Sequence, residues 1–158
     1  MTQESGISFA SYGKDFQEKI VQGLLTDSMW AEQMAEVVDT QFFDLKYLRF
    51  LADRYFTYHQ KYKDFPTLPL LVSIIRDDLK TGNDTILRDQ IVEYLQRIRH
   101  NPNMGDLEYV KDKALDFCRK QAFRGALEEA VDLIQVDKFD SVMANSLPFK
   151  PLSASSSG

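Results

Sequence analysis

The chain is predicted to be all-α, with a compact helical head, an antiparallel helical hairpin and a C-terminal linker helix. Three observations predict this class. Apolar residues recur at steps of three and four through most of the chain, the β-branched alternation that marks strands is missing, and Pro, Asn and most Gly fall between the periodic stretches. A chain of 158 residues can bury one sizeable core. Its hydrophobic content of 44% and aromatic content of 12% suffice to build one, so most of the chain is expected to fold.

Residues 1–13 are expected to be a flexible N-terminus, and the helical head spans 14–82. In "KDFQEKIVQGLLTD", Phe16, Ile20 and Leu24 fall at steps of four with Val21 and Leu25 beside them, the pattern of a short amphipathic helix. Gly23 sits inside that stripe. A mid-helix glycine costs about 1 kcal/mol against alanine, so its expected use is to let another helix approach closely. Asp27 or Ser28 is placed to accept from the free amides that open the next helix, "MWAEQMAEVV", whose Trp30, Met34, Val37 and Val38 face inward. Asp44 then stands as an N-cap before Leu45, Leu48, Leu51, Tyr55 and Tyr58, with Phe42, Phe43, Phe50 and Phe56 adding bulk. This is the expected central core helix. The chain breaks at Pro66, restarts with Thr67 as cap and Pro69 tolerated in the first turn, and stops at Gly82.

Residues 83–135 are expected to form the hairpin and linker helix. Ile86, Leu87, Ile91, Leu95 and Ile98 make one stripe, and "NPNMGD" forces a reversal. So short a link favours antiparallel neighbours. The stretch from Tyr109 to Ile134 then reads as one long helix whose apolar side does not stay in place. Val110, Ala114, Phe117 and Cys118 project to one side, whereas Ala126, Leu127, Ala130 and Ile134 project to nearly the opposite one. Either the two halves bind separate partners, or one core buries the helix on both sides, or a kink near Arg124 and Gly125 redirects it. Residues 136–158 are expected to give a short helix capped by Asp137 and then a flexible linker, "PFKPLSASSSG".

A formal net charge of −5 argues against strong direct nucleic-acid binding. Arg76, Lys80, Arg88, Arg97 and Arg99 lie in one stretch and could make a local basic patch or a solvated face. The single cysteine, Cys118, reads as a small core residue in a reducing compartment. No stretch approaches the length of a membrane span. No phosphate loop or dinucleotide glycine motif occurs, and His59, His100 and Cys118 are too few and too scattered for zinc. Glu128, Glu129 and Asp132 read as a solvated face rather than an acid/base cluster. His59, with Lys61 and Lys63 nearby, supports an alternative: a histidine phosphotransfer protein, although the glycine that usually follows is missing. A small self-contained helical adaptor is a third reading.

From Asp15 to Leu79 the order of signals resembles the N-terminal domain of DnaB-type replicative DNA helicases, phage members included. "IVQGLLTD", Trp30, the pair Phe42 and Phe43, and Phe50-Leu51 carry the resemblance, followed by "YKDFPTLPLLVSII". Tyr109 to Ile134 is similar to the stretch where those proteins leave their hairpin and enter the linker helix, and "VDKFDSVMANSL" resembles the acidic helix that often follows. The similarity covers about residues 14–147. Tyr47 stands where many members have histidine, and the residues between Asp64 and Leu71 match loosely.

The resemblance implies a non-catalytic N-terminal assembly domain of a hexameric helicase, cut near its junction. Its partners would be copies of itself, as a dimer or hexamer collar, and a primase or helicase loader, in the cytoplasm of a bacterium or a phage-infected host. ATP and Mg would belong to the missing motor domain, leaving this part without a cofactor or catalytic residue. Ile91, Leu95, Ile98, Val110, Ala114, Phe117 and Cys118 would make the hairpin contacts, and Leu127, Val131 and Ile134 would dock the linker. Gly23, Trp30, Phe42 and Phe43 would hold the head together.

Overall fold

The computed structural model describes residues 7–80, 82–102 and 104–136. Six α-helices form: α1 (Lys14–Thr26), α2 (Ser28–Ala35), α3 (Lys46–Tyr62), α4 (Leu68–Lys80), α5 (Thr85–His100) and α6 (Leu107–Gln135). A single 3-10 turn, Ala10–Tyr12, precedes α1 and another, Thr40–Phe42, lies between α2 and α3, and no strand occurs among the described residues. The fold is all-α. The chain divides into two compact units, Met1–Arg119 and Lys120–Gly158. The break therefore falls inside α6 and not between residues 82 and 83, where the sequence reading separates head from hairpin.

The first unit is built around α3, as the density of aromatics suggests, and around α1. Eight consecutive residues of α1, Gln17 to Leu24, are buried, so the helix is surrounded on every side along that stretch. Its polar residues are accommodated by specific partners. The Gln17 side-chain amide donates to the Gly13 carbonyl at 3.3 Å, and its oxygen accepts from the Asp44 amide at 2.9 Å. The Gln22 amide reaches the Met104 sulfur at 3.2 Å. Gly13 opens the helix with φ of +90°, a conformation that glycine adopts without penalty.

Asp27 caps α2 by accepting from the Trp30 amide at 3.1 Å, and Thr67 does the same for Leu70 in the first turn of α4 at 3.3 Å. Asp44 does not cap α3. That helix starts two residues later with Leu45 at the cap position and no side-chain bond, because the Asp44 backbone is engaged by Gln17. On α3, Tyr47, Leu48, Leu51, Ala52 and Tyr55 face the core, and the Tyr55 hydroxyl donates to the Leu24 carbonyl at 2.5 Å. On α5 the stripe is Leu87, Ile91, Tyr94 and Leu95, whereas Ile86 is 72% exposed. The helical phase fixed by Ile91 and Leu95 turns Ile86 outward.

The N-terminal segment is also part of this unit from Phe9 onward. Phe9 is fully buried, its amide donates to the Phe42 carbonyl at 2.8 Å, and its ring meets Phe42, Phe43 and Phe117 at 5.1–5.7 Å. The expectation of a flexible stretch up to residue 13 fails there, since a single aromatic carries no periodicity to announce its burial. Residues 1–6, the Asp137-capped helix and the Ser-rich linker lie outside the described residues.

Candidate functional site

The last helix begins where Asp106, at φ of +64°, turns the chain after the proline and glycine of "NPNMGD". Leu107, Val110, Lys111, Ala114 and Cys118 are then buried. Phe117 closes the row by packing edge-on to Phe42 at 5.3 Å and against Phe9 at 5.1 Å. Ile91, Leu95 and, in part, Ile98 belong to the same core as Val110, Ala114 and Cys118. Among the described residues α5 also packs on α3, and these seven residues share the core of the first unit.

Gly23 acts in this anchoring. A Cβ there would lie 3.0 Å from Cζ3 of Trp30 and 3.3 Å from Cγ of Lys111, so α2 and α6 both press on the one position of α1 that lacks a side chain. Trp30 is buried and its indole N–H donates to the Lys111 carbonyl at 3.2 Å. The Lys111 ammonium lies 2.6 Å from Asp27 and 2.9 Å from Glu108. Those two bonds, Asp27 first, hold the lysine above its ordinary pKa, and the Lys111 bond followed by the Trp30 amide holds Asp27 below the usual carboxylate range. Asp27 thus caps α2 and ties the first turns of α6 to it. Cys118 lies beneath, its thiol pushed up to about 12 chiefly by burial, which keeps it unreactive.

A second polar cluster joins α1, α3 and α5. The Glu18 carboxylate accepts from the Tyr47 hydroxyl and from both terminal nitrogens of Arg97, at 2.7 and 3.1 Å. Arg97 also grips Glu93 at 2.9 Å, and the Tyr94 hydroxyl donates to the Glu18 carbonyl at 2.5 Å. Burial alone would push the Glu18 carboxyl up. The bonds from Arg97 and Tyr47 outweigh it and hold the group below its ordinary range. Burial first, and Glu18 second, push the Tyr47 hydroxyl well above its ordinary value, so it stays a donor. This is a closed structural network. Sequence reading sees Arg97 only as part of a basic patch and misses Glu18 altogether.

The second unit is described for residues 120–136, and its helix is dressed differently. Leu127, Val131 and Ile134 are 51%, 49% and 50% exposed, and Phe123, four positions before Leu127, is 67% exposed. Phe123 belongs to the same stripe and was readable from its spacing. Glu128, Glu129 and Asp132 are all exposed and by helical phase turn away from the stripe, with Arg124 bonded loosely to Glu128 at 3.4 Å. Four apolar side chains in a row on one exposed helical stretch amount to a face without a partner among the described residues.

The rest of the described residues offer little chemistry. His59 stacks on Phe65 at 4.2 Å, and its Nε2 faces the Glu32 carboxylate at 3.2 Å, where a phosphoryl group would meet a like charge. No group of three or more His, Cys, Asp or Glu could hold a metal among the described residues. None of the described helices is long and apolar enough to cross a membrane. Compared with protein-family models, curated proteins and solved structures, the chain matches none.

Proposed function

We propose that this chain is a non-catalytic assembly domain of a hexameric replicative DNA helicase of the DnaB type. It organises subunits and offers a surface to a primase or helicase loader in the cytoplasm of a bacterium or a phage-infected host. ATP hydrolysis falls to a motor domain outside these residues, and no residue here is assigned to it. The order of motifs from Asp15 to Leu79 supports the family, and one observation supports the role. A single helix is buried against its own unit at Val110, Ala114 and Cys118, then carries Leu127, Val131 and Ile134 half exposed. An apolar face of that kind favours a neighbouring subunit over water.

Light scattering across a wide concentration range tests this. The chain is expected to associate as concentration rises, and Leu127→Glu with Val131→Glu is expected to keep it monomeric at unchanged helical content. A wild-type chain that stays monomeric at every concentration would remove the assembly role.

A further inference from the structure

Between α4 and α5 lies a groove of about 640 Å³, with Leu68, Val72, Val92 and Leu95 on its floor and Arg76 and Arg99 at its edge. A second hollow of about 560 Å³ continues it, lined by the same Arg76 with Lys80, Arg88 and Asp77. Val92 is 46% exposed. Arg76, Lys80 and Arg99 make no ion pair among the described residues, and Arg88 has only Asp89 at 3.6 Å. Other acids of the two helices are engaged elsewhere: Asp78 holds Arg54 of α3 at 2.5 Å, and Glu93 holds Arg97 at 2.9 Å. Four cations thus line one apolar trough, with Asp77 the one carboxylate among the described residues that lines it, in a chain whose formal net charge is −5.

Both walls of the trough are helical over the same length. Pro69 to Lys80 on α4 and Arg88 to Arg99 on α5 each span eleven residue steps, about 16 Å or three turns. Backbone amides and carbonyls of the walls are already bonded within their own helices, so an extended peptide would find no main-chain partner there. A helix arrives with its backbone satisfied and needs only an apolar row for the floor and carboxylates for the rim. Nucleic acid fits less well. No aromatic side chain among the described residues lines either hollow to stack on a base, and phosphates that met the cations would leave valine and leucine against a charged backbone.

We propose that the α4/α5 groove is the docking site for an acidic amphipathic helix of a partner protein, its apolar side on Val72, Val92 and Leu95 and its carboxylates toward Arg76, Lys80, Arg88 and Arg99. No residue of α6 takes part, so the groove keeps this role whether or not copies of the chain associate. Ion pairs along the rim are screened by salt and the apolar floor is not. Affinity therefore falls as salt rises and levels off where the floor alone holds the helix.

Selection of random peptides of about 16 residues, roughly four helical turns, on the immobilised full-length chain tests this. The enriched sequences are expected to carry Asp and Glu with apolar residues at steps of three and four. A labelled synthetic peptide of the enriched sequence is then titrated by fluorescence anisotropy, with polyglutamate and single-stranded DNA of equal length as controls. Arg76→Glu/Arg99→Glu is expected to weaken its binding by more than about tenfold, and Val92→Gln by about fivefold. All three positions are exposed, and circular dichroism checks that both variants fold. A control that binds as tightly as the selected peptide, with Val92→Gln without effect, reduces the trough to a plain polyanion surface and overturns the helix. A selection that yields no binder, binders without acidic residues, or binders indifferent to both variants overturns the groove.

Discussion

Trp30→Ala is expected to lower the stability of the first unit by about 4 kcal/mol, the range for truncating a buried tryptophan. The indole fills the space over Gly23 and its N–H holds the Lys111 carbonyl, so the substitution opens a cavity at the meeting point of α1, α2 and α6. Trp30→Phe is expected to recover most of the packing and to lose about 1 kcal/mol for the missing hydrogen bond. The coupling to Gly23 gives a sharper result. In wild type, Gly23→Ala drives a Cβ to 3.0 Å from the indole and is expected to destabilise by about 1–2 kcal/mol, despite the gain in helix propensity. In the Trp30→Ala background the closer obstacle is gone and only Lys111 Cγ at 3.3 Å remains, so the same change is expected to cost less than in wild type by about 1 kcal/mol. Urea unfolding of the four chains followed by circular dichroism measures this cycle; additive effects would show that glycine is not there for the indole.

Arg97→Ala is expected to cost about 3 kcal/mol near neutral pH and to reverse the pH dependence that Glu18 contributes. Breaking a buried ion pair from one side is expensive mainly because of the charge left behind. The Glu18 side chain is 8% exposed and that of Arg97 41%, so the arginine returns to water cheaply while the carboxylate cannot. In wild type the Glu18 pKa is depressed from the ordinary 4.5. Its contribution is therefore fully present above that value and fades as pH falls through the lower folded value. Without Arg97, burial is opposed only by the Tyr47 hydroxyl and the Lys14 charge, and the folded pKa is expected to rise above the unfolded one. The variant then binds a proton on folding and recovers stability as pH falls toward 5 (about the unfolded glutamate range). Adding Glu18→Gln is expected to flatten that recovery. Urea midpoints at two pH values measure it, and parallel slopes for wild type and Arg97→Ala would contradict the assignment.

Much of the helical content was legible because apolar residues at steps of three and four announce a buried face whatever lies against it. Asp27, Thr67 and the glycine in the stripe of α1 were legible for a similar reason: capping and close approach are local requirements. The centre of the fold was not. Gln17, Glu18, Lys19 and Gln22 look like the wet side of an amphipathic helix, yet all four are buried. Partners that make this possible for Gln17 and Glu18 lie 27 and 79 residues away along the chain. Nothing in a window of one helix can reveal them. Phe9 escaped for want of periodicity, and Asp44 misled because its backbone had a better partner than the helix it precedes. The change of apolar side along α6 was legible as a pattern, but the same pattern suits a helix buried on two sides. Exposure at Leu127, Val131 and Ile134 is what separates the two cases.

The chain's single tryptophan, Trp30, reports unfolding of the first unit, which allows the two ends of α6 to be compared by fluorescence in urea. At a concentration where the protein is monomeric, Val110→Ser is expected to lower the midpoint by the equivalent of about 2–3 kcal/mol. Leu127→Ser is expected to stay within about 0.5 kcal/mol of wild type. A loss at Leu127 as large as that at Val110 would mean that one interior holds both ends of the helix, and no face would be left for a neighbour.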